Sequence, residues 1–327
     1  MSTRTVLGLA VVALAGAALF VVFRPNAPER APTAFQSSTD CRSCHAEVYR
    51  EWEGSWHAQS WNDPDVRALS NDFANMDCID CHAPRPVFET GVNERVLPRV
   101  ARRQEGVDCI ACHALAGADE GRMAGTLERL DVACRPKAVI ELSRPEFCAP
   151  CHNQHQTVTE WLVTRYAAEG IGCVECHMPF RDGDPNRGRD HTMHGGHSIE
   201  LVRSAVQLRV RRAGASAQVE VENVGAGHSF PTDERSRAAD VFWRPLGEQA
   251  GPWRHLYRFR SPYRDEVGLT STLLNPHEVR TLPLEDPQAG GAIEVALFYK
   301  LTPYWADPEH PDPDREARLV ARVVLEP

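Results

Sequence analysis

The stretch Cys41-Arg-Ser-Cys44-His45-Ala-Glu-Val-Tyr49-Arg-Glu-Trp52-Glu-Gly-Ser55-Trp56-His57 joins a Cys-x-x-Cys-His unit to an aromatic run that ends on a second histidine. The unit recurs as Cys78-Ile-Asp-Cys81-His82, Cys109-Ile-Ala-Cys112-His113, Cys148-Ala-Pro-Cys151-His152 and Cys173-Val-Glu-Cys176-His177. Five copies use ten of the eleven cysteines. This is the attachment pattern of c-type haem, in which two thiols bind the haem covalently. The adjacent histidine is the proximal iron ligand, so the sequence predicts five covalent haems. Zinc sites combine cysteine pairs or pair them with distant histidines, and give no reason for a histidine after every second cysteine. A disulfide framework needs no such histidine either. A redox-active Cys-x-x-Cys is normally single. Cys134 is left over and reads as an inert thiol.

Residues 5–23 form an uncharged apolar run, close to the roughly 20 residues that a membrane-spanning helix requires. No Ala-x-Ala cleavage site follows it, so residues 1–25 read as an N-terminal membrane anchor, with a removed signal peptide as the alternative. Residues 26–39, rich in Pro and Ala, read as a linker. Covalent haem attachment takes place outside the cytoplasm, which places the body at the periplasmic side of the inner membrane. A net charge of −9 argues against a nucleic-acid partner.

Haem motifs recur every 25 to 39 residues from Asp40 to about Ile199. That spacing leaves little chain for a conventional core, so the porphyrins must supply much of the buried apolar surface. The expected fold for 40–199 is mainly α and irregular, with no β-sheet. After Glu200 cysteine disappears, and period-two segments appear at 205–212, 215–223, 239–245, 292–301 and 317–326. Such alternation is the strand signature. Residues 200–327 are therefore expected to form an all-β, sandwich-like domain.

Five haems need distal ligands or open irons, and five methionines including Met1 cannot supply most of them. His45, Tyr49, Trp52 and Trp56 fall on one helical stripe. On a straight helix His57 would lie roughly 18 Å from His45, so it would serve a different haem. His191, His194 and His197 crowd into one Gly-containing loop, where His191 and His197 are the expected ligands. His155 follows His152 too closely to bind the same iron, but reaches a neighbour. His228 lies in a Gly-rich turn whose tip can enter another domain. His255, His277 and His310 read as solvated.

The opening Cys41-x-x-Cys44-His45…Tyr49-x-x-Trp52-x-x-Ser55-x-His57-Ala58 resembles multihaem cytochromes of the cytochrome c-554 group and their hydroxylamine- and tetrathionate-processing relatives. Glu105-Gly-Val-Asp-Cys109 and Cys176-His177-Met178-Pro179 are similar to later motifs of the same class. Gly227-His228-x-Phe230-Pro231-Thr232 is similar to a segment of their C-terminal β domains. The resemblance implies bis-histidine, low-potential electron transfer, with His57 and His228 as distal ligands. Asp233 stands where glycine is expected, and five motifs match neither the four of the c-554 proteins nor the eight typical of the enzymes.

Three functions fit. The first is an electron carrier between a quinol-side donor and a periplasmic or surface acceptor. The second is an oxidoreductase with one open-site haem for a small nitrogen, sulfur or peroxide substrate. The third is a structural subunit of a larger cytochrome assembly. Ligand arithmetic favours the carrier.

Overall fold

The computed structural model describes residues 35–214, 216–232, 235–263, 266–285 and 291–327. The anchor expected at 1–25, most of the 26–39 linker and Asp233 lie outside them. Among the described residues no helix is long and apolar enough to cross a membrane.

From Ser38 to Ala205 the chain consists of short helices joined by loops. In Ala46–Glu53, Tyr49 and Trp52 point inward and are buried. Trp52 Nε1 donates to Val107 O at 2.8 Å, tying this helix to the segment before the third motif. The helix does not run straight to His57. It stops at Gly54, and Ser55 starts a new turn, Trp56–Gln59, by accepting from Ala58 N. Serine competes for backbone hydrogen bonds and so favours a cap over a helix interior. The stripe therefore ends at Trp52, and Trp56 is half exposed.

Asp108 is fully buried and caps Cys109–His113 by accepting from Ala111 N at 2.7 Å. Its carboxylate also pairs with Arg99 at 2.9 Å and Arg102 at 3.0 Å. Val107 N donates to His57 O at 2.9 Å. The preceding Gly106 has φ +60, and a Cβ there would meet His57 O at 2.4 Å. Only glycine lets the third motif approach the His57 backbone this closely. One expectation fails in this half, because strands β1 (Ala124–Gly125) and β2 (Lys137–Ala138) pair in parallel. A two-residue ladder is too short to show any periodicity.

The helix Ile199–Ala205 runs into β3 (Val206–Ala213). β3, β4 (Ser216–Asn223) and β7 (Val279–Leu284) form one antiparallel sheet in the order β3-β4-β7. β5 (Ala238–Leu246), β6 (Arg254–Phe259), β8 (Ala292–Lys300) and β9 (Arg318–Leu325) form another, ordered β6-β5-β8-β9. Val219, Val221 and Leu282 of the first sheet pack on Val241, Val295, Leu297 and Tyr299 of the second. β4 alternates buried and half-buried residues, as a one-sided strand should. β5 and β8 are buried on both faces, because Phe242, Ala296 and Phe298 form a second cluster against Trp253 and Trp305. Each fully buried Leu, Val or Phe in these strands contributes about 1.5–3 kcal/mol. β6 and β7 escape the sequence reading. They are edge strands, β6 partly exposed, and β7 carries Pro283, which edges tolerate.

Candidate haem-binding site

Four motifs lie on helices: the second in Met76–His82, the third in Cys109–His113, the fourth in Pro145–His152 and the fifth in Cys173–His177. Helical spacing sets the second cysteine and the histidine, three and four residues on, over the same face as the first cysteine. In the first motif Cys41 ends a 3-10 turn and His45 precedes Ala46–Glu53.

Attachment thiols from different motifs meet. Cys41 lies beside Cys109, Cys81 beside Cys151, and Cys148 beside Cys173. Cys112 lies near Cys148 and Cys151, and burial pushes its own thiol up to about 12. The attachment points form one connected set: first beside third, second and fifth beside fourth, and third joined to fourth.

Three motif imidazoles stand opposite a second imidazole. His113 faces His191 with ring centroids 6.2 Å apart and planes at 29°. His177 faces His228 at 6.4 Å and 17°, and His152 meets His57 at 6.0 Å and 61°. Two imidazoles bound through one nitrogen each to a single metal, at about 2.0–2.1 Å, have centroids roughly 6 Å apart.

The protonation pattern agrees with that spacing. His113 Nδ1 donates to Ala124 O at 2.8 Å, His191 Nδ1 to Arg189 O at 2.8 Å, and His228 Nδ1 to Ser229 O at 3.0 Å. His177 Nδ1 donates to His194 O, and His82 Nδ1 to Ser60 O at 2.8 Å. A carbonyl only accepts, so Nδ1 carries the proton and Nε2 keeps its lone pair. Metal-bound histidines are oriented by the same kind of bond. His57 differs, because its Nδ1 lies against the Met193 sulfur. Burial holds His57 and His113 down to about 4 and His152 to about 3, which keeps these rings neutral, as ligands must be. The residues fit a set of covalently held haems on this geometry.

The remaining candidates are placed otherwise. His197 stacks on Trp56 with centroids 3.6 Å apart, and its Nε2 accepts from Arg237 Nη2 at 3.1 Å. That guanidinium belongs to the β half and occupies the His197 Nε2. His194 offers its carbonyl to His177, and its Nε2 lies 2.9 Å from Thr192 Oγ1. His155 ends the turn Asn153–His155, where Gln154 Nε2 is 3.4 Å from Cys81 Sγ. The Phe73 ring lies 5.4 Å from His82. His255 is not simply solvated, since its Nε2 bonds to the buried Asp240 at 2.9 Å. The carbonyl partners escaped sequence reasoning because a backbone acceptor leaves no mark on residue type. Met193 was visible in the His191–His197 loop, but methionine number argued against it.

Residues 40–114 match the family model described as cytochrome c554 and c-prime. A solved penta-heme cytochrome c552 from Thermochromatium tepidum aligns with 90% of this chain and 100% of its own, at a TM-score of 0.64 and 20% identity. At that identity the likeness is one of fold. A superoxide reductase structure aligns with 38% of this chain and 88% of its own at a TM-score of 0.19 and 11% identity, too low for a shared fold. No curated protein matches the chain. The repeated Cys-x-x-Cys-His units, the family-model match over residues 40–114 and the likeness in fold together support a multihaem c-type cytochrome. Its first three motifs lie in the segment that matches the c554 family model.

Proposed function

We propose that this cytochrome is an electron carrier holding five haems, attached to the periplasmic side of the inner membrane through residues 1–25. Haem would supply a one-electron Fe(III)/Fe(II) couple within a conjugated ring; the chain would supply attachment, axial nitrogens and spacing. The carrying observation is the set of three imidazole pairs at 6.0, 6.2 and 6.4 Å. It supports His57 as distal partner of His152, His191 of His113, and His228 of His177. Saturated axial positions suit electron transfer, which needs no open coordination site. The thiol contacts support a continuous path, because they put all five motifs in one connected set. His155 remains the candidate for the second motif, since its turn touches Cys81. His197 drops out of the proposed ligands, because Arg237 occupies its Nε2. Redox partner proteins, a quinol-side donor and a periplasmic or surface acceptor, follow from this role.

Pyridine-haemochrome analysis is expected to give five haems per chain, and electron paramagnetic resonance a predominantly low-spin ferric protein. His57→Ala, His191→Ala and His228→Ala should each convert one haem to high spin at unchanged haem content. Unchanged spectra in all three would remove the assignment.

A second reading, an oxidoreductase with one open iron for a small nitrogen, sulfur or peroxide substrate, is favoured by His45, which stands exposed just before Ala46–Glu53. A full-stoichiometry high-spin signal in the unmodified protein, shifted by added nitrite, hydroxylamine or peroxide, would select that reading over the carrier.

A further inference from the structure

We infer that Glu51 and Glu160 are positioning residues, carboxylate clamps that hold the loops carrying His191 and His228 against the third and fifth motifs of the helical body. More specifically, Glu51 sets His191 against the third motif and Glu160 sets His228 against the fifth. The inference rests on the ligand assignment proposed above for His191 and His228.

Both histidines reach their partners from outside the helical elements. His191 lies in the loop after the fifth motif, and His228 in the turn between β4 and β5. Neither has a regular element to fix its backbone, yet each ring sits within 6.4 Å of a motif imidazole. In both cases a helix glutamate meets the loop backbone at the histidine or the next residue. Glu51, on Ala46–Glu53, accepts His191 N–H on Oε2 at 2.9 Å. Its other oxygen accepts Arg181 Nε at 2.6 Å, so the carboxylate is anchored while it holds the loop. Glu160, on Thr157–Leu162, accepts Ser229 N–H on Oε2 and Ser229 Oγ–H on Oε1, both at 2.7 Å.

These are charge-assisted hydrogen bonds with little solvent competition. Glu51 and Arg181 side chains are 17% and 10% exposed, and Ser229 is 1% exposed. Such bonds are roughly twice as strong as neutral ones. Burial acts to raise the Glu51 carboxyl, but Arg181 and the His191 N–H outweigh it and hold the group below its usual range. Around His228 the seat is completed by Asn223 Nδ2, which donates to His228 O at 2.9 Å, and by Tyr166 Oη, which donates to Val224 O at 3.0 Å. A Cβ on Gly227 would meet Trp161 Cδ1 at 3.1 Å, so the loop lies directly on the helix that carries Glu160. The two clamps come from different helices and hold different loops. Each supplies a ring's position while its Nδ1 bond supplies the ring's orientation. Axial ligation is sensitive to that placement, since partners outside the coordination sphere commonly change metal affinity by about 10–100-fold.

The test compares Glu51→Ala and Glu160→Ala with His191→Ala and His228→Ala in the full-length holoprotein. Haem content, thermal unfolding and ferric spin state are measured on each. The expected result is high-spin signal, up to one haem in each glutamate variant, with haem content unchanged and added imidazole restoring the low-spin spectrum. Glu160→Gln, which keeps an acceptor for Ser229 N–H, should restore most of it without imidazole. Fully low-spin spectra in both alanine variants would overturn the clamps, even if the melting temperature falls. If an alanine variant loses haem, Glu51→Asp or Glu160→Asp replaces it; the side chain one methylene shorter should give the same high-spin signal, and a wild-type spectrum there counts equally against the inference. Low-spin histidine variants would instead sink the ligand assignment itself, which separates the two failures.

Discussion

In the sandwich, Val219, Leu282, Val295 and Leu297 meet in one continuous core. In the helical half, Tyr49, Trp52 and Ala58 form one small cluster, and Phe73, Ile79 and Ala83 another. The sandwich therefore buries its apolar surface against itself. The helical half encloses sites whose walls are imidazoles and thiols, and its elements are mostly one or two turns long. Helices this short are marginal without tertiary contacts. The difference teaches where the stabilising surface lies: in side chains for one half, in the attached cofactor for the other.

The largest expected effect tests that division. Cys148→Ala with Cys151→Ala removes the attachment point next to the second, third and fifth motifs. Far-ultraviolet circular dichroism should lose much of its helical signal, while limited proteolysis still yields a resistant fragment beginning near residue 200. A helical signal unchanged after loss of that haem would break the comparison. Next, Asp108→Ala strips the buried partner from Arg99 and Arg102 and uncaps the third motif. Breaking a buried pair costs about 3–5 kcal/mol, so denaturant unfolding of the helical half should shift by that order with the sandwich unaffected. Leu297→Ala applies the reverse stress. It should cost about 2–5 kcal/mol in the β transition and leave the haem absorption and spin state as they were. A spectral change there would mean that the two halves share a core. The smallest effect is Ser55→Ala, which removes the cap of the His57 turn for about 1 kcal/mol. Its signature should be a modest rise in high-spin signal, because the cap starts the turn that presents His57.

The same contrast governs what could be read in advance. β4 was legible because a one-sided strand must alternate, and it does so along its whole length, whereas β5 and β8, buried on both faces, were legible as apolar runs. β7 was hidden by Pro283, and β6 by its exposure at the sheet edge. The proposed attachment residues stand out in the sequence because the covalent chemistry they would serve fixes identity and spacing. Distal positions follow a weaker rule. His57 was singled out, but the helix meant to carry it is broken by Gly54 and Ser55. The three-histidine loop looked like a ligand source, yet only His191 faces a motif imidazole, while a guanidinium from the β half claims His197. That competition comes from Arg237, forty residues later, and no local pattern reports it. Glu51 and Glu160 were equally silent, since a surface glutamate and a clamping glutamate look alike in a helix.

His228 has a further consequence, concerning the order in which the molecule is made. Its turn lies between β4 and β5, after the last attachment cysteine and beyond the first hairpin of the sandwich. All ten proposed attachment thiols leave the ribosome before it. On the assignment proposed here, a chain cut after Ala205 would still receive every haem and yet leave the fifth without its second imidazole. Completion of that centre is thus a record that translation has passed the β4–β5 turn and that the turn has docked. An absorption spectrum of newly made protein would report maturation of the C-terminal half, although that half carries no attachment site of its own.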